Sequence, residues 1–248
     1  MNQISWREVL TCLGVAAVVM VGAAQLSAAP LITVEISSVG SGDPYSITAE
    51  GTPNGDGTFT LARIGEYGTN WFCDWAITVN PDPSITGTFN LTNLSATTQT
   101  FVLTVSLPVP LGLGPTTVMG GYVGLVEYFD QNDSDVTLAS VGASPIYQAR
   151  IGVTAVQDLL AGTFQAFGGP GANGSISQLS WGTPIPSAPG PAIPVAGNMN
   201  IRTTFSLTGL DRVRLPVNFV VEPVPEPGSL VLIGIGLAAL AGVRARRS

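Results

Sequence analysis

Thr100-Phe101-Val102-Leu103-Thr104-Val105-Ser106-Leu107 is the stretch that decides the fold. Phe101, Leu103, Val105 and Leu107 recur at every second position, while Thr100, Thr104 and Ser106 occupy the alternate ones, interrupted only by Val102. A period of two places one set of side chains on each face of an extended chain, so this segment reads as a strand with one face in a core and one in water. Two sheets that each present such a face to the other make a two-layer structure.

Working outward, further short segments of the same kind are separated by turn residues. Leu31–Ile36, Tyr45–Thr52, Thr58–Ile64, Trp71–Val79, Ile85–Leu91, Thr98–Leu107 and Tyr122–Phe129 are expected strands. Val136–Val141, Tyr147–Val153, Ile176–Trp181, Ile201–Leu207 and Val217–Glu222 complete the set. Asn54-Gly55-Asp56-Gly57 tolerates positive φ and predicts a hairpin between its two flanking strands. Val153–Phe167 is the one stretch that could hold a short helix, although Gly162 and its β-branched residues oppose it. The Pro-rich stretches 108–115 and 184–194 read as loops inside one domain. The fold class that follows is an all-β, two-layer antiparallel sandwich of jelly-roll or immunoglobulin-like type over residues 30–223.

Composition narrows the chemistry. Charged residues make up 10% of the 248-residue chain, against about 25% in an ordinary soluble domain. All nine basic residues are arginines; four lie at the ends (Arg7, Arg244, Arg246 and Arg247), leaving five in the body. Fourteen of the sixteen acids lie in the body, Glu8 and Glu226 being the exceptions, so the body carries −9. Such a surface repels phosphate backbones, and a nucleic-acid partner is not expected. With no His and no Lys, Ser-His-Asp and Cys-His systems, the usual catalytic zinc sites, Schiff-base chemistry and the phosphate-loop lysine cannot be assembled.

Carboxylate-pair chemistry survives, with Asp74, Glu127 and Asp130 as candidates, but a structural role is the commoner fate of such acids and an enzyme is not expected. Asp130, Asn132, Asp133 and Asp135 form the densest oxygen-ligand cluster, a candidate calcium loop in which Ser134 would also present an oxygen. It lacks glycine at its sixth position, where Asp135 stands, and an acid at its twelfth, Val141. A solvated turn is the expected state and no cofactor is implied beyond that calcium option. The N-x-[ST] triplets at Asn90, Asn93, Asn132 and Asn173 read as turn and edge residues. Trp71, Trp75 and Trp181 suit a core better than a sugar-stacking face. Cys12 lies in an N-terminal apolar run, so Cys73 stands alone in the body and is expected to be buried as a small hydrophobe.

The two ends carry a different signal. Arg7, the uncharged run Val9–Ala24 and the small residues up to Ala29 have the three parts of a secretory signal peptide over residues 1–29. At the other end stand Val224-Pro225-Glu226-Pro227-Gly228, the uncharged Ser229–Val243 and the basic Arg244, Arg246 and Arg247. As a helix, Ser229–Val243 would span about 22 Å, short of the hydrocarbon core of about 30 Å. The terminal arginines predict a cytoplasmic C-terminus, which leaves the body on the far side of the membrane, as the signal peptide requires.

Residues 224–248 closely resemble the PEP-CTERM sorting signal of Gram-negative, biofilm-forming bacteria, through the Pro-Glu-Pro motif at 224–228, the small-residue-bearing helix at 229–243 and the basic tail at 244–248. The resemblance implies transient insertion in the inner membrane, recognition of the tail by exosortase, and delivery to the cell surface or extracellular matrix. It implies a structural or adhesive role beside exopolysaccharide in a biofilm. A carbohydrate-binding module is the alternative, and a carboxylate-pair glycan enzyme a distant third.

Overall fold

The computed structural model describes residues 29–40, 44–81, 83–109, 117–191 and 197–224. Nearly all of the signal-peptide segment, and the tail from Pro225 onward with its expected helix, lie outside the described residues. Within them every regular element is a strand. In chain order these are β1 (Leu31–Ser38), β2 (Tyr45–Glu50), β3 (Thr52–Pro53), β4 (Phe59–Gly68), β5 (Trp71–Asn80), β6 (Ser84–Asn93), β7 (Gln99–Pro108), β8 (Thr117–Val123) and β9 (Val126–Phe129). There follow β10 (Val136–Ala139), β11 (Tyr147–Ile151), β12 (Thr154–Leu159), β13 (Gln165–Gly168), β14 (Asn173–Ile176), β15 (Leu179–Trp181), β16 (Ala188–Pro189), β17 (Asn198–Leu207) and β18 (Arg212–Pro223).

These strands form two antiparallel sheets. The first runs β12-β11-β17-β7-β1-β2, with β10 added to β17 and β13 to β10; the second runs β14-β9-β18-β6-β5-β4-β3, with β8 on β18 and β15 and β16 on β8. The alternation that predicts β7 is realised: Phe101, Leu103, Val105 and Leu107 are buried, and the residues between them face outward. The same pattern buries Ile32, Val34 and Ile36 of β1, and Trp71, Cys73, Trp75, Ile77 and Val79 of β5. Inward residues of both sheets share one hydrophobic core. Tyr45 of the first sheet meets Trp71 of the second edge-on at 6.2 Å, and the Tyr147 hydroxyl donates across the core to the Asn218 carbonyl at 2.7 Å. Cys73 is buried, and burial, with the Asp74 charge beside it, pushes its thiol pKa up, as befits an inert side chain.

Four expectations need correction, besides the Ile176–Trp181 strand, which is broken at Ser177 and Gln178 into the end of β14, paired with β9, and β15, paired with β8. The Asn54–Gly57 turn exists, with Gly55 and Gly57 at φ +86° and +89°, but it joins only β3 to β4. The long strand expected before it breaks at Gly51, where the chain passes from one sheet to the other; a Cβ there would lie 2.7 Å from that of Phe59. β2 therefore pairs with β1 rather than with β4. The Tyr122–Phe129 strand is two strands, broken at Gly124 and Leu125. The Val153–Phe167 helix is absent: β12 pairs with β11, and β13 with β10, because sheet edges offer these β-branched residues a ladder that their weak helix propensity cannot match.

The fourth correction concerns β18, which starts at Arg212 and not at Val217. Its carbonyl at Pro216 accepts from Gly124 N at 2.8 Å, so Pro216 presents its nitrogen toward the same side, into the gap between β9 and β8. No ladder hydrogen bond is lost there, which is why a central strand tolerates this proline.

Trp71→Ala removes a fully buried ring that bridges the sheets, and should destabilise the protein by about 3–5 kcal/mol in urea unfolding.

Candidate functional site

At one end of the molecule the chain crosses between the sheets from β6 to β7 and from β17 to β18, and the acidic loop Asp130–Asp135, itself the crossing from β9 to β10, lies against the second of these. The Asp130 and Asn132 side-chain oxygens are turned toward backbone amides. Asp130 Oδ1 accepts from Asn132 N at 2.9 Å and Ser134 N at 3.3 Å, and Oδ2 accepts from Gly171 N at 2.5 Å. Asn132 Oδ1 accepts from Ser134 N at 2.9 Å, while its amide donates to Gly209 O at 3.0 Å. Asp133 takes a left-handed φ of +56°, which Asp adopts more readily than most residues. Desolvation pushes the Asp130 carboxyl up, but these N–H donors outweigh it and hold the pKa below the ordinary range. The loop is thus built as a turn closed by carboxylate and amide caps. Among the described residues no three His, Cys, Asp or Glu side chains converge as a metal site.

Two residues of this region were not visible as special in the sequence. Asn93 is fully buried: its amide nitrogen lies 3.0 Å from Thr97 O, 3.0 Å from Leu207 O and 2.9 Å from Thr208 O, and its Oδ1 accepts from Ser95 N at 3.0 Å. Asp211 is also excluded from solvent; it accepts from the Thr208 hydroxyl and, at 3.3 Å, from Gln131 N, while its carbonyl accepts from Asn93 N at 2.8 Å. A residue-type pattern carries no mark of this, because the partners are backbone groups up to 115 positions away. The N-x-[ST] triplet at Asn93 is therefore structural, its amide committed to the crossing strands.

Two of the carboxylates singled out for catalysis, Asp74 and Glu127, are not brought together. On the outer face of the second sheet, Asp74, Asn90, Arg214 and Glu127 lie in one cross-strand row. Asp74 and Glu127 are three strands apart, about 14 Å at ordinary strand spacing, beyond the roughly 5–10 Å of a glycosidase pair. Glu127 pairs with Arg214 at 2.8 Å, and Asp74 Oδ1 accepts from Gly65 N at 2.8 Å. Beside them the Arg212 guanidinium sits 4.4 Å above the Phe129 ring. Trp71, Trp75 and Trp181 are all buried, so the core reading of these aromatics holds.

At the opposite end of β18 the described residues stop at the tail. β18 pairs with β8 as far as Pro223, opposite Thr117, and Val224 is the last described residue before Pro225, Glu226 and Pro227. The sorting-motif residues Pro225–Pro227 and the arginines Arg244, Arg246 and Arg247 lie outside the described residues. A family model described as the PEP-CTERM protein-sorting motif matches residues 223–247. No curated protein matches the chain.

Burial pushes the Asp211 carboxyl above its ordinary range; the Thr208 and Gln131 hydrogen bonds pull back, and the Asp130 charge adds to the rise. The folded state therefore holds this proton more tightly than the unfolded chain. Its contribution to stability is full below about pH 3.9 and is lost as pH rises through the folded-state value. Asp211→Asn should remove that loss, so the wild type should fall relative to the variant in urea midpoints measured from pH 4 to pH 7; parallel curves would contradict this.

Proposed function

We propose, from the PEP-CTERM sorting motif that this chain carries at residues 223–247, that the protein is an exported cell-surface component whose folded body is delivered by exosortase and serves a structural or adhesive role in an exopolysaccharide matrix. The observation that carries the reading is the meeting point of motif and fold. The matched segment begins at Pro223, where the last strand ends, so the tail can be removed without taking an inward residue of β18 from the core.

In this reading residues 1–29 direct export and Ser229–Val243 holds the chain in the inner membrane for a limited time, with Arg244, Arg246 and Arg247 on the cytoplasmic side. A run that spans about 22 Å as a helix suits a temporary hold better than a permanent anchor. The body is taken as a two-layer sandwich of jelly-roll or immunoglobulin-like class whose role is not catalytic. The wide spacing of Asp74 and Glu127, the commitment of Glu127 to Arg214, and the lack of His and Lys support that choice. At the calcium option of Asp130, Asn132, Asp133 and Asp135, the Asp130 and Asn132 oxygens already accept from the backbone amides of Asn132, Ser134 and Gly171, which weighs against a cation there.

The test is to express the full chain, and a variant with Pro225→Ala, Glu226→Ala and Pro227→Ala, in a host that carries the sorting enzyme. Mass spectrometry of membrane and surface fractions should find the wild type without its tail and the variant at full length in the membrane. Retention of both at full length would refute the sorting step.

A further inference from the structure

The five arginines of the body are few enough to follow individually. Arg63 pairs with Glu66 at 3.8 Å, Arg214 pairs with Glu127, Arg150 donates to the Val153 carbonyl at 2.5 Å, and Arg212 covers Phe129. Arg202 is the exception: among the described residues it has no carboxylate at ion-pair distance, no hydrogen-bond acceptor and no aromatic ring beneath its guanidinium. In a body of charge −9 an arginine left unpaired calls for a reason.

Its surroundings follow from the topology of the first sheet. One edge of β17 is shared by two strands: β11 pairs with Met199–Thr203, and β10 with Ser206 and Leu207. Between them the connection from β10 to β11 fills the gap, with Thr204 N donating to Ile146 O at 3.0 Å. That connection turns tightly at Val141–Ser144, closed by Ser144 N on Val141 O at 3.1 Å. The result is a cleft of about 110 Å³ on the outer face, lined by Ser144, Pro145, Gln148, Arg202 and Thr204. Arg202 and Thr204 share a face of β17, and Gln148 stands directly opposite Arg202. The Gln148 amide nitrogen donates to Asp158 Oδ1 at 3.0 Å, which aligns that side chain and leaves its carbonyl oxygen as an acceptor.

We propose that this cleft is a binding site for a hydroxy-carboxylate. The Arg202 guanidinium, with the Ser144 and Thr204 hydroxyls, supplies donors for a planar carboxylate, and the Gln148 oxygen accepts from a neighbouring hydroxyl. Charge favours a ligand with a single negative charge at this point. Glu35 lies two strands away through Thr104, and Asp158 two strands away through Gln148, each about 10 Å from Arg202. They repel a phosphate dianion more strongly than a carboxylate. The volume holds one such group and not a whole ring, so the site grips one substituent of its ligand. A uronate unit of an acidic polysaccharide and a free hydroxy acid share this chemistry.

The full chain would be examined by equilibrium dialysis with galacturonate, and by retardation in gels that contain polygalacturonate or neutral galactan. Arg202→Gln and Arg202→Lys are the variants, with melting midpoints as the control for folding. The wild type should bind a uronate ligand and not galactan, and Arg202→Gln should bind it at least about tenfold more weakly at an unchanged midpoint. Arg202→Lys should lie between them, because it keeps the charge but loses the fork. Arg202-dependent binding of polymer alone identifies a polysaccharide partner, of monomer alone a small hydroxy acid, and of both a carboxylate site open to either source. Absence of uronate binding in the wild type, or equal binding by wild type and Arg202→Gln, would overturn the proposal.

Discussion

The structure depends on two sheet-to-sheet crossings that lie side by side and are stitched together. The strands that enter and leave them are among the longest in the molecule: β6 and β18 pair over Arg212–Val220 in one sheet, and β7 and β17 over Asn198–Leu207 in the other. Each sheet is thereby centred on one strand from each crossing. Asn93 and Asp211 make the stitch, through backbone groups of the 93–97 and 207–211 segments. Buried polar groups are tolerated only when satisfied, and once satisfied they fix one geometry. The crossings therefore set the register from which the shorter strands extend.

This organisation explains why the last strand among the described residues is late in the sequence yet central in space. β18 has β6 along one edge and β9 and β8 in succession along the other, and it buries Val213, Leu215, Val217, Phe219 and Val221. The first sheet repeats the scheme on β17, with β11 and β10 in succession. In both sheets the break between the two short partners produces a local feature. On β18 it houses Pro216; on β17 it opens the cleft beside Arg202.

Much of the fold was legible because most strands have one wet face, and period-two alternation reports that directly. β7, β5 and β1 follow it residue by residue. What could not be read depended on partners distant in the chain. The start of β18 was hidden by Pro216, whose acceptability rests on a gap between β8 and β9. The 153–167 segment has weak local preferences, and pairing with β11 and β10 decided its state. The turn at Asn54–Gly57 was correctly signalled, but a turn motif does not say which sheet the preceding strand joins. The sorting tail was readable because it is a linear signal that needs no fold. Asn93, Asp211 and Arg202 were not, since an Asn, an Asp or an Arg acquires its role only from what the topology places around it.

The central claim is that the folded body is complete at Val224 and cannot exist without β18. Equilibrium urea unfolding of chains ending at Val224 and at Leu210, each beginning at Pro30, tests it most directly. The longer chain should unfold in one cooperative transition, whereas the shorter, lacking the strand that three others pair with, should show none. A cooperative transition in the chain ending at Leu210, or its absence in the chain ending at Val224, would contradict the account.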